Sequence, residues 1–233
     1  MQAIILAGGK GTRLKPFTTN IPKPLIPIDD LPILEIVLRQ LKHYGFKDIV
    51  ITVNHMAELI MAFFGDGKKI GVNLKYSVED KPLGTAGPVR LIDNLEDNFI
   101  VMNGDLLTTI DYTKLFKYHV SNNNDVTIAT YKKDIKIDLG VIKTQDSTFL
   151  DYIEKPTYSF DVSTGVYVFN KRVVNFINDN QKMDMPDFML KLKSNNMKVG
   201  CYKGDYYWLD IGRFEDYEEA NKIFADKRSE FLF

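Results

Sequence analysis

A single cysteine, Cys201, leaves this chain with no internal disulfide and no cysteine cage for zinc. The three histidines, His43, His55 and His119, are scattered and lack the spacing of metal ligands. Apolar residues never run on for the roughly 18 positions that a membrane-spanning helix needs. The opening MQAIILAGGKGTRL has no basic lead and too short an apolar run for a secretion signal, so a cytoplasmic setting without membrane attachment is expected. There is no excess of positive charge either. The formal net charge is −1, which argues against a nucleic-acid partner while leaving room for a small basic pocket. Neither Gly-Lys-Ser nor Gly-Lys-Thr occurs, so the P-loop is missing, and Leu14 stands where the dinucleotide fingerprint would require its third glycine.

What is present is ordinary globular material, 233 residues of which 45% are hydrophobic and 26% charged, enough for one domain with a sizeable core. Short apolar runs at Ala3–Leu6, Asp48–Val53, Asn73–Ser77 and Phe99–Asn103 predict strands. Between them, Ile33, Ile36, Val37, Gln40 and Leu41 fall at helical spacing over 33–44, with Gly45 placed to stop the helix. Further helices are expected over 58–64 and around Ala86–Leu91. Such alternation predicts a mostly parallel α/β sheet flanked by helices. Beyond Tyr112 the pattern changes: a helix to Ser121, a strand at Val126–Tyr131, a hairpin from Leu139–Lys143 and Phe149–Ile153, and a strand at Ser163–Phe169. Helices at Val173–Asn178 and Asp187–Leu192, a strand at Val199–Tyr202 and a last helix over 215–227 complete it. One domain over 1–233 is expected, with halves at 1–111 and 112–233, the second adding mixed strands to the first. In open α/β sheets ligands bind beyond the carboxyl ends of the strands, and the unusual residues gather there.

The first such segment is Leu6-Ala7-Gly8-Gly9-Lys10-Gly11-Thr12-Arg13. Its glycines let a backbone approach a ligand closely and aim several N–H groups at one anion. Arg13 adds a planar fork of donors suited to phosphate. Pro22-Lys23-Pro24 follows, two prolines that deny Lys23 a helical backbone and hold it at one place. Asp105 ends the fourth strand in Asn103-Gly104-Asp105, and Asp210 sits in Trp208-Leu209-Asp210-Ile211-Gly212. Either aspartate alone is also what a turn or a helix N-cap asks for.

LAGGKGTRLKPFTTNIPKPLIPI resembles the signature of the sugar-1-phosphate nucleotidyltransferases, the NDP-sugar pyrophosphorylase family. The resemblance implies a Rossmann-like nucleotide-diphospho-sugar transferase fold, with 1–111 binding nucleotide and 112–233 sugar phosphate. It implies the transfer of a nucleotidyl group from a nucleoside triphosphate to a sugar 1-phosphate, with release of pyrophosphate. By the same resemblance Leu6, Ala7, Gly8, Gly9, Gly11 and Thr12 wrap the triphosphate, Arg13 takes the leaving pyrophosphate and Lys23 steadies the α-phosphate. Asp105 and Asp210 hold Mg²⁺, a hard cation that favours a few carboxylates plus phosphate oxygens. Glu79-Asp80-Lys81-Pro82-Leu83-Gly84-Thr85-Ala86 resembles the family's base-recognition segment, with Glu79, Gly84, Thr85 and Ala86 at the base. Glu79 stands where thymidylyltransferases of the family carry glutamine. A carboxylate accepts hydrogen bonds and cannot donate, which suits the two adjacent donors of guanine. GTP is therefore the expected nucleotide, with uridylyl, thymidylyl or cytidylyl transfer as alternatives. Asn103, Gly140, Glu154, Lys155, Thr164 and Gly165 match the family's sugar-phosphate segments, and a mannose- or heptose-like sugar is expected. Two departures are Ser163, where the family has asparagine or alanine, and Arg213 after Asp-Ile-Gly. A hexapeptide-repeat β-helix after the last helix is not expected. Homodimers and homotetramers are the assemblies the resemblance allows. An inactive regulatory subunit is the non-enzymatic alternative.

Overall fold

Gln2–Leu6 forms β1, a run of branched and small apolar residues buried on both faces, as the central strand of a parallel sheet must be. The computed structural model describes residues 1–233. After β1 come two short antiparallel strands, β2 (Pro27–Ile28) and β3 (Leu31–Pro32), and then α1 (Ile33–His43). β4 (Asp48–Val53), α2 (Ala57–Phe64), β5 (Asn73–Val78), β6 (Asn98–Asn103) and β7 (Leu106–Thr108) follow. The second half holds α3 (Tyr112–Ser121), β8 (Val126–Lys136), β9 (Val141–Gln145), β10 (Thr148–Ile153), β11 (Thr157–Asn170), α4 (Met185–Ser194), β12 (Val199–Lys203), β13 (Trp208–Asp210) and α5 (Phe214–Phe231).

Seven strands make the main sheet, in the order β12-β8-β11-β6-β1-β4-β5. The pairs β1–β4, β1–β6, β4–β5 and β8–β12 are parallel, whereas β11 runs antiparallel between β6 and β8. β11 thereby joins the two halves of the chain in one mixed α/β sheet. Alternation along β4 shows how the faces are used: Ile49, Ile51 and Val53 enter the core under α1 and α2, and Val50 enters the core on the opposite face with Ala86, Val89 and Phe188 of α4. A third cluster, around Leu14, Ile28, Ile211 and Phe224, fastens α5 to the edge of the phosphate-loop region.

Several elements differ from the sequence expectation. Residues 87–91 are a 3₁₀ turn rather than an α-helix: Pro88 sits in its first turn, and Ala86 N–H and Gly87 N–H both donate to Met183 O, 2.9 and 3.1 Å away. Lys171–Phe176 is likewise 3₁₀, capped by Asn170. β8 and β11 extend well past the expected ends, to Lys136 and back to Thr157, as a two-stranded arm beyond the core. That stretch is rich in lysine and aspartate and is exposed, so no burial pattern marks it. The two-residue β2 and β3 and the three-residue β7 and β13 are too short for periodicity to show.

Candidate active site

The carboxyl ends of β1, β4 and β6 and the segment after β5 surround a cleft of about 300 Å³. Ten of the expected residues line it: Leu6, Ala7, Gly8, Gly9, Lys23, Glu79, Gly84, Thr85, Asn103 and Asp105. The loop after β1 is anchored at its start, where Ala7 N–H donates to Thr52 O at 2.9 Å. Gly8 passes so close to Glu79 that a Cβ there would stand 2.7 Å from Oε1. Gly11 has a left-handed backbone (φ +60), and a Cβ would meet Thr18 and Lys23. Gly9 needs glycine for neither reason: open space surrounds it.

Lys23 is buried; contrary to the expectation that its prolines deny it a helical backbone, it opens the 3₁₀ turn Lys23–Leu25, whose tight geometry accepts Pro24, with the extended Pro22 before it. Its Nζ pairs with Asp105 Oδ2. Asp105 Oδ1 is buried and has no protein partner. On the other side, β13 pairs antiparallel with β7, bringing Asp210 opposite Leu106, while Ile211 N–H donates to Asp105 O at 3.2 Å. Two aspartates 105 positions apart in sequence thus meet at one point. Burial, and then the charge of Asp105, push the Asp210 carboxyl above the usual carboxylate range, with Lys23 and Arg13 pulling the other way. A pair of carboxylates, one with a free buried oxygen, has the oxygen donors a divalent cation takes, and one lysine does not neutralise both.

In the segment after β5, Glu79 is buried and its carboxyl is pushed up by that burial, opposed by the N–H of Leu83, which donates to Oε2 at 3.0 Å. Asn54 Nδ2 donates to Glu79 O at 2.8 Å and holds the turn from outside. A clamp absent from the sequence reading fixes the next residues. Met183 N–H donates to Leu83 O (2.9 Å), Thr85 N–H donates to Asp184 Oδ1 (3.2 Å), and Thr85 Oγ1 accepts from Met185 N–H (2.7 Å). Gly84 (φ +79) sits so tightly in this clamp that a Cβ would lie 2.5 Å from Met183 O. Thr85 therefore shapes the wall with its polar groups already in use, whereas Ala86, expected at the base, is fully buried in the core behind it, its N–H on Met183 O. Pro24, Pro82 and Gly104, which stand in the motif segments but were not assigned to the site, also line the cleft, and so do Thr52 and Pro88, which the sequence reading did not single out. A polar residue near the end of the apolar run Ile49–Val53 was the available signal for Thr52.

The remaining expected residues lie elsewhere. Gly165 (φ +74) packs on Asn103, whose Nδ2 would be 2.6 Å from a Cβ. The buried Thr164 hydroxyl donates to Ala129 O at 2.9 Å and Trp208 Nε1 donates to Thr164 O at 2.8 Å, so Thr164 fixes the backbone beside the site. Gly140, Glu154 and Lys155 are on the β9–β10 hairpin outside the cleft; Glu154 and Lys155 are exposed, and Lys155 has φ +44. Thr12 is exposed as well. Arg13 faces a neighbouring cleft of about 650 Å³ shared with Asp210, Tyr131 and Trp208, its guanidinium against Gly212. Asp210 thus lines this second cleft and not the first, while the charges of both Lys23 and Arg13 act on its carboxyl.

A glycine loop, a framed lysine and paired carboxylates at the carboxyl edge of a parallel sheet have the chemistry that phosphates and a divalent cation require. The family model described as "Nucleotidyl transferase" matches residues 2–227. The chain belongs to that family, whose nucleotidyltransferases generally use a divalent metal. It is 36% identical over 94% of its length to a UTP–glucose-1-phosphate uridylyltransferase of Synechocystis, of which it spans 62%. It is 32% identical over 95% of its length to the D-glycero-alpha-D-manno-heptose 1-phosphate guanylyltransferase of Aneurinibacillus thermoaerophilus, of which it spans 97%. Among solved structures, HddC of Yersinia pseudotuberculosis superposes with a TM-score of 0.75 at 25% identity, covering 96% of this chain and 99% of that one. HddC has also been solved with GMP-PN bound.

Proposed function

We propose that this chain transfers a nucleotidyl group from a nucleoside triphosphate, GTP foremost, to a mannose- or heptose-like sugar 1-phosphate. The observation that carries the reading is the pairing of Asp105 and Lys23 in the cleft with the glycine loop, with Asp210 brought up beside Asp105 by the β7–β13 ladder. In the step itself, an oxygen of the sugar 1-phosphate attacks the α-phosphorus, the new P–O bond forms as the bond to the β-phosphate oxygen breaks, and pyrophosphate leaves. The attacking oxygen is already anionic, so no side chain has to remove a proton. The backbone of Gly8 and Gly9 receives the triphosphate, Lys23 neutralises charge at the α-phosphate, and Arg13 awaits the pyrophosphate from the second cleft. Asp105 and Asp210 would hold Mg²⁺, which when bound neutralises phosphate charge that otherwise keeps the two reactants apart. Positioning of this kind contributes roughly 7–11 kcal/mol in well-oriented systems.

Glu79 and the 32% identity to a heptose 1-phosphate guanylyltransferase support GTP; the Synechocystis relative supports UTP as the second reading. The cytoplasm, which supplies both substrates, is where this reading puts the chain, and no helix of it is long and apolar enough to cross a membrane. The test is pyrophosphate release by purified protein with Mg²⁺, five nucleoside triphosphates crossed with a panel of sugar 1-phosphates. Release that requires both substrates, strongest with GTP, is expected; silence across the grid overturns the reading in favour of a regulatory subunit.

A further inference from the structure

Four buried side-chain oxygens lack a protein partner: Gln40 Oε1, Thr52 Oγ1, Asp105 Oδ1 and Tyr112 Oη. Two of them, on Asp105 and Thr52, belong to residues of the nucleotide cleft. The cation accounts for Asp105. Nothing so far accounts for Thr52, whose side chain is 1% exposed.

The backbone of Thr52 is fully employed, registered with Leu6 of β1 and Ser77 of β5 and accepting from Ala7 N–H. Its neighbours Ile51 and Val53 enter one core, so alternation sends the Thr52 side chain out on the opposite face. That face holds Val50, Ala86 and Val89, and Thr52 shares the cleft wall there with Pro82, Gly84 and Pro88. In such company valine would fill the same volume and leave no hydroxyl unsatisfied, since an unpaired buried polar group destabilises the fold. The hydroxyl therefore serves something other than folding. Close by, Glu79 N–H donates to Val53 O, so the acceptor-only carboxylate and the hydroxyl border the same end of the cleft.

We propose that the Thr52 hydroxyl reads the nucleobase, donating a hydrogen bond to a ring carbonyl while the adjacent ring N–H meets Glu79. The inference rests on the nucleotidyl-transfer reading and adds a base-contacting residue to it. It favours keto bases, whose carbonyl and N–H stand side by side, as in guanine, uracil and thymine. The site then gains a donor to set beside Glu79, which by itself only accepts.

The experiment compares Thr52→Val and Thr52→Ser with the unaltered protein in two measurements. One is the Kd for GTP and for UTP without sugar phosphate, together with the KM values of both substrates in turnover. The other is the melting temperature. In T52V the Kd and KM for the preferred nucleotide should rise about tenfold, as for one lost hydrogen bond, with the KM for sugar 1-phosphate unchanged and the melting temperature equal or higher. T52S should recover nucleotide binding to within about threefold. Nucleotide binding in T52V equal to the unaltered protein overturns this inference alone. So does a drop in melting temperature with both substrates weakened together, because that is the mark of a structural hydroxyl. An unaltered protein that binds neither nucleotide overturns the parent reading, and the base-contact role with it.

Discussion

Lys23 and Asp105, 82 positions apart, form an ion pair at the edge of the nucleotide cleft, with Lys23 buried and Asp105 mostly so. The pairing depends on the backbone on both sides: Pro22 and the 3₁₀ turn hold Lys23, and β6 running into β7 holds Asp105. Each charge makes the other tolerable in the place where the proposed function puts phosphate. Lys23→Met should therefore have two separate effects. Turnover should fall a hundredfold or more, as when one donor to developing phosphate charge is removed. Stability should fall by about 1–3 kcal/mol, because Asp105 is left charged and unpaired. In the double variant K23M/D105N the denaturation midpoint should recover, because no buried charge is then left unpaired. Turnover in K23M alone that stays at the level of the unaltered protein would show that Lys23 acts only on the fold.

Glu79 accepts from Leu83 N–H through one oxygen, a bond that the carbonyl of a glutamine can also accept. Glu79→Gln should thus keep the turn and alter only what the cleft accepts from a base. The ratio of kcat/KM for GTP to that for TTP should drop at least tenfold, since an amide offers a donor where guanine also presents donors. An unchanged ratio, measured at saturating sugar 1-phosphate, would remove Glu79 from base recognition and leave it as a turn residue.

Much of the cleft was legible in the sequence because its pieces are contiguous: residues 6–13, 79–86 and 103–105 each lie at a strand end, and these and residues 22–24 bring their own glycines or prolines. The parallel half of the sheet was legible for the same reason, since apolar runs such as Ile49–Val53 are buried on both faces. Contacts between distant segments were not. Nothing local marks Met183 and Asp184 as the clamp on Leu83 and Thr85, about a hundred positions away. Nothing in three residues marks β7 and β13 as the ladder that sets Asp210 beside Asp105. Arg13 shows a different limit. Its sequence position says that it ends the loop, but only packing against Gly212 decides that it faces the second cleft.

The glycines of the phosphate loop are separable by experiment. At Gly11 a methyl group meets a left-handed backbone and would stand 2.9 Å from Thr18 Cγ2, so Gly11→Ala should cost about 1–3 kcal/mol in stability. Gly9 has no such constraint, and Gly9→Ala should fold with a stability within about 0.5 kcal/mol of the unaltered protein. Its cost should appear instead in the KM for nucleotide, about tenfold or more, as the methyl occupies space a phosphate needs at the backbone. Equal KM values in G9A and the unaltered protein would place the triphosphate elsewhere.

His119 lies far from the chemistry and should govern acid stability. It is buried, with Nε2 on Asn98 Oδ1 at 3.1 Å and Nδ1 on Thr127 Oγ1 at 2.9 Å, and Thr127 Oγ1 in turn accepts from Asn124 Nδ2. A neutral ring that donates from Nε2 and accepts at Nδ1 satisfies every group in this chain. Burial holds its pKa down at about 4, against an ordinary 6.5, with the nearby charge of Asp125 opposing and that of Arg172 assisting. The unfolded chain therefore binds the proton first. The neutral ring's contribution is complete above pH 6.5 and is lost as pH falls toward 4, about 3 kcal/mol in all. Between pH 6.5 and 5, before most carboxylates titrate, urea midpoints of the unaltered protein should slide downward with falling pH. In His119→Gln they should start lower at pH 7.5, because the bonds to Asn98 and Thr127 are disturbed, but run nearly flat across that interval. Parallel slopes in the two proteins would mean that the ring already carries its proton in the fold.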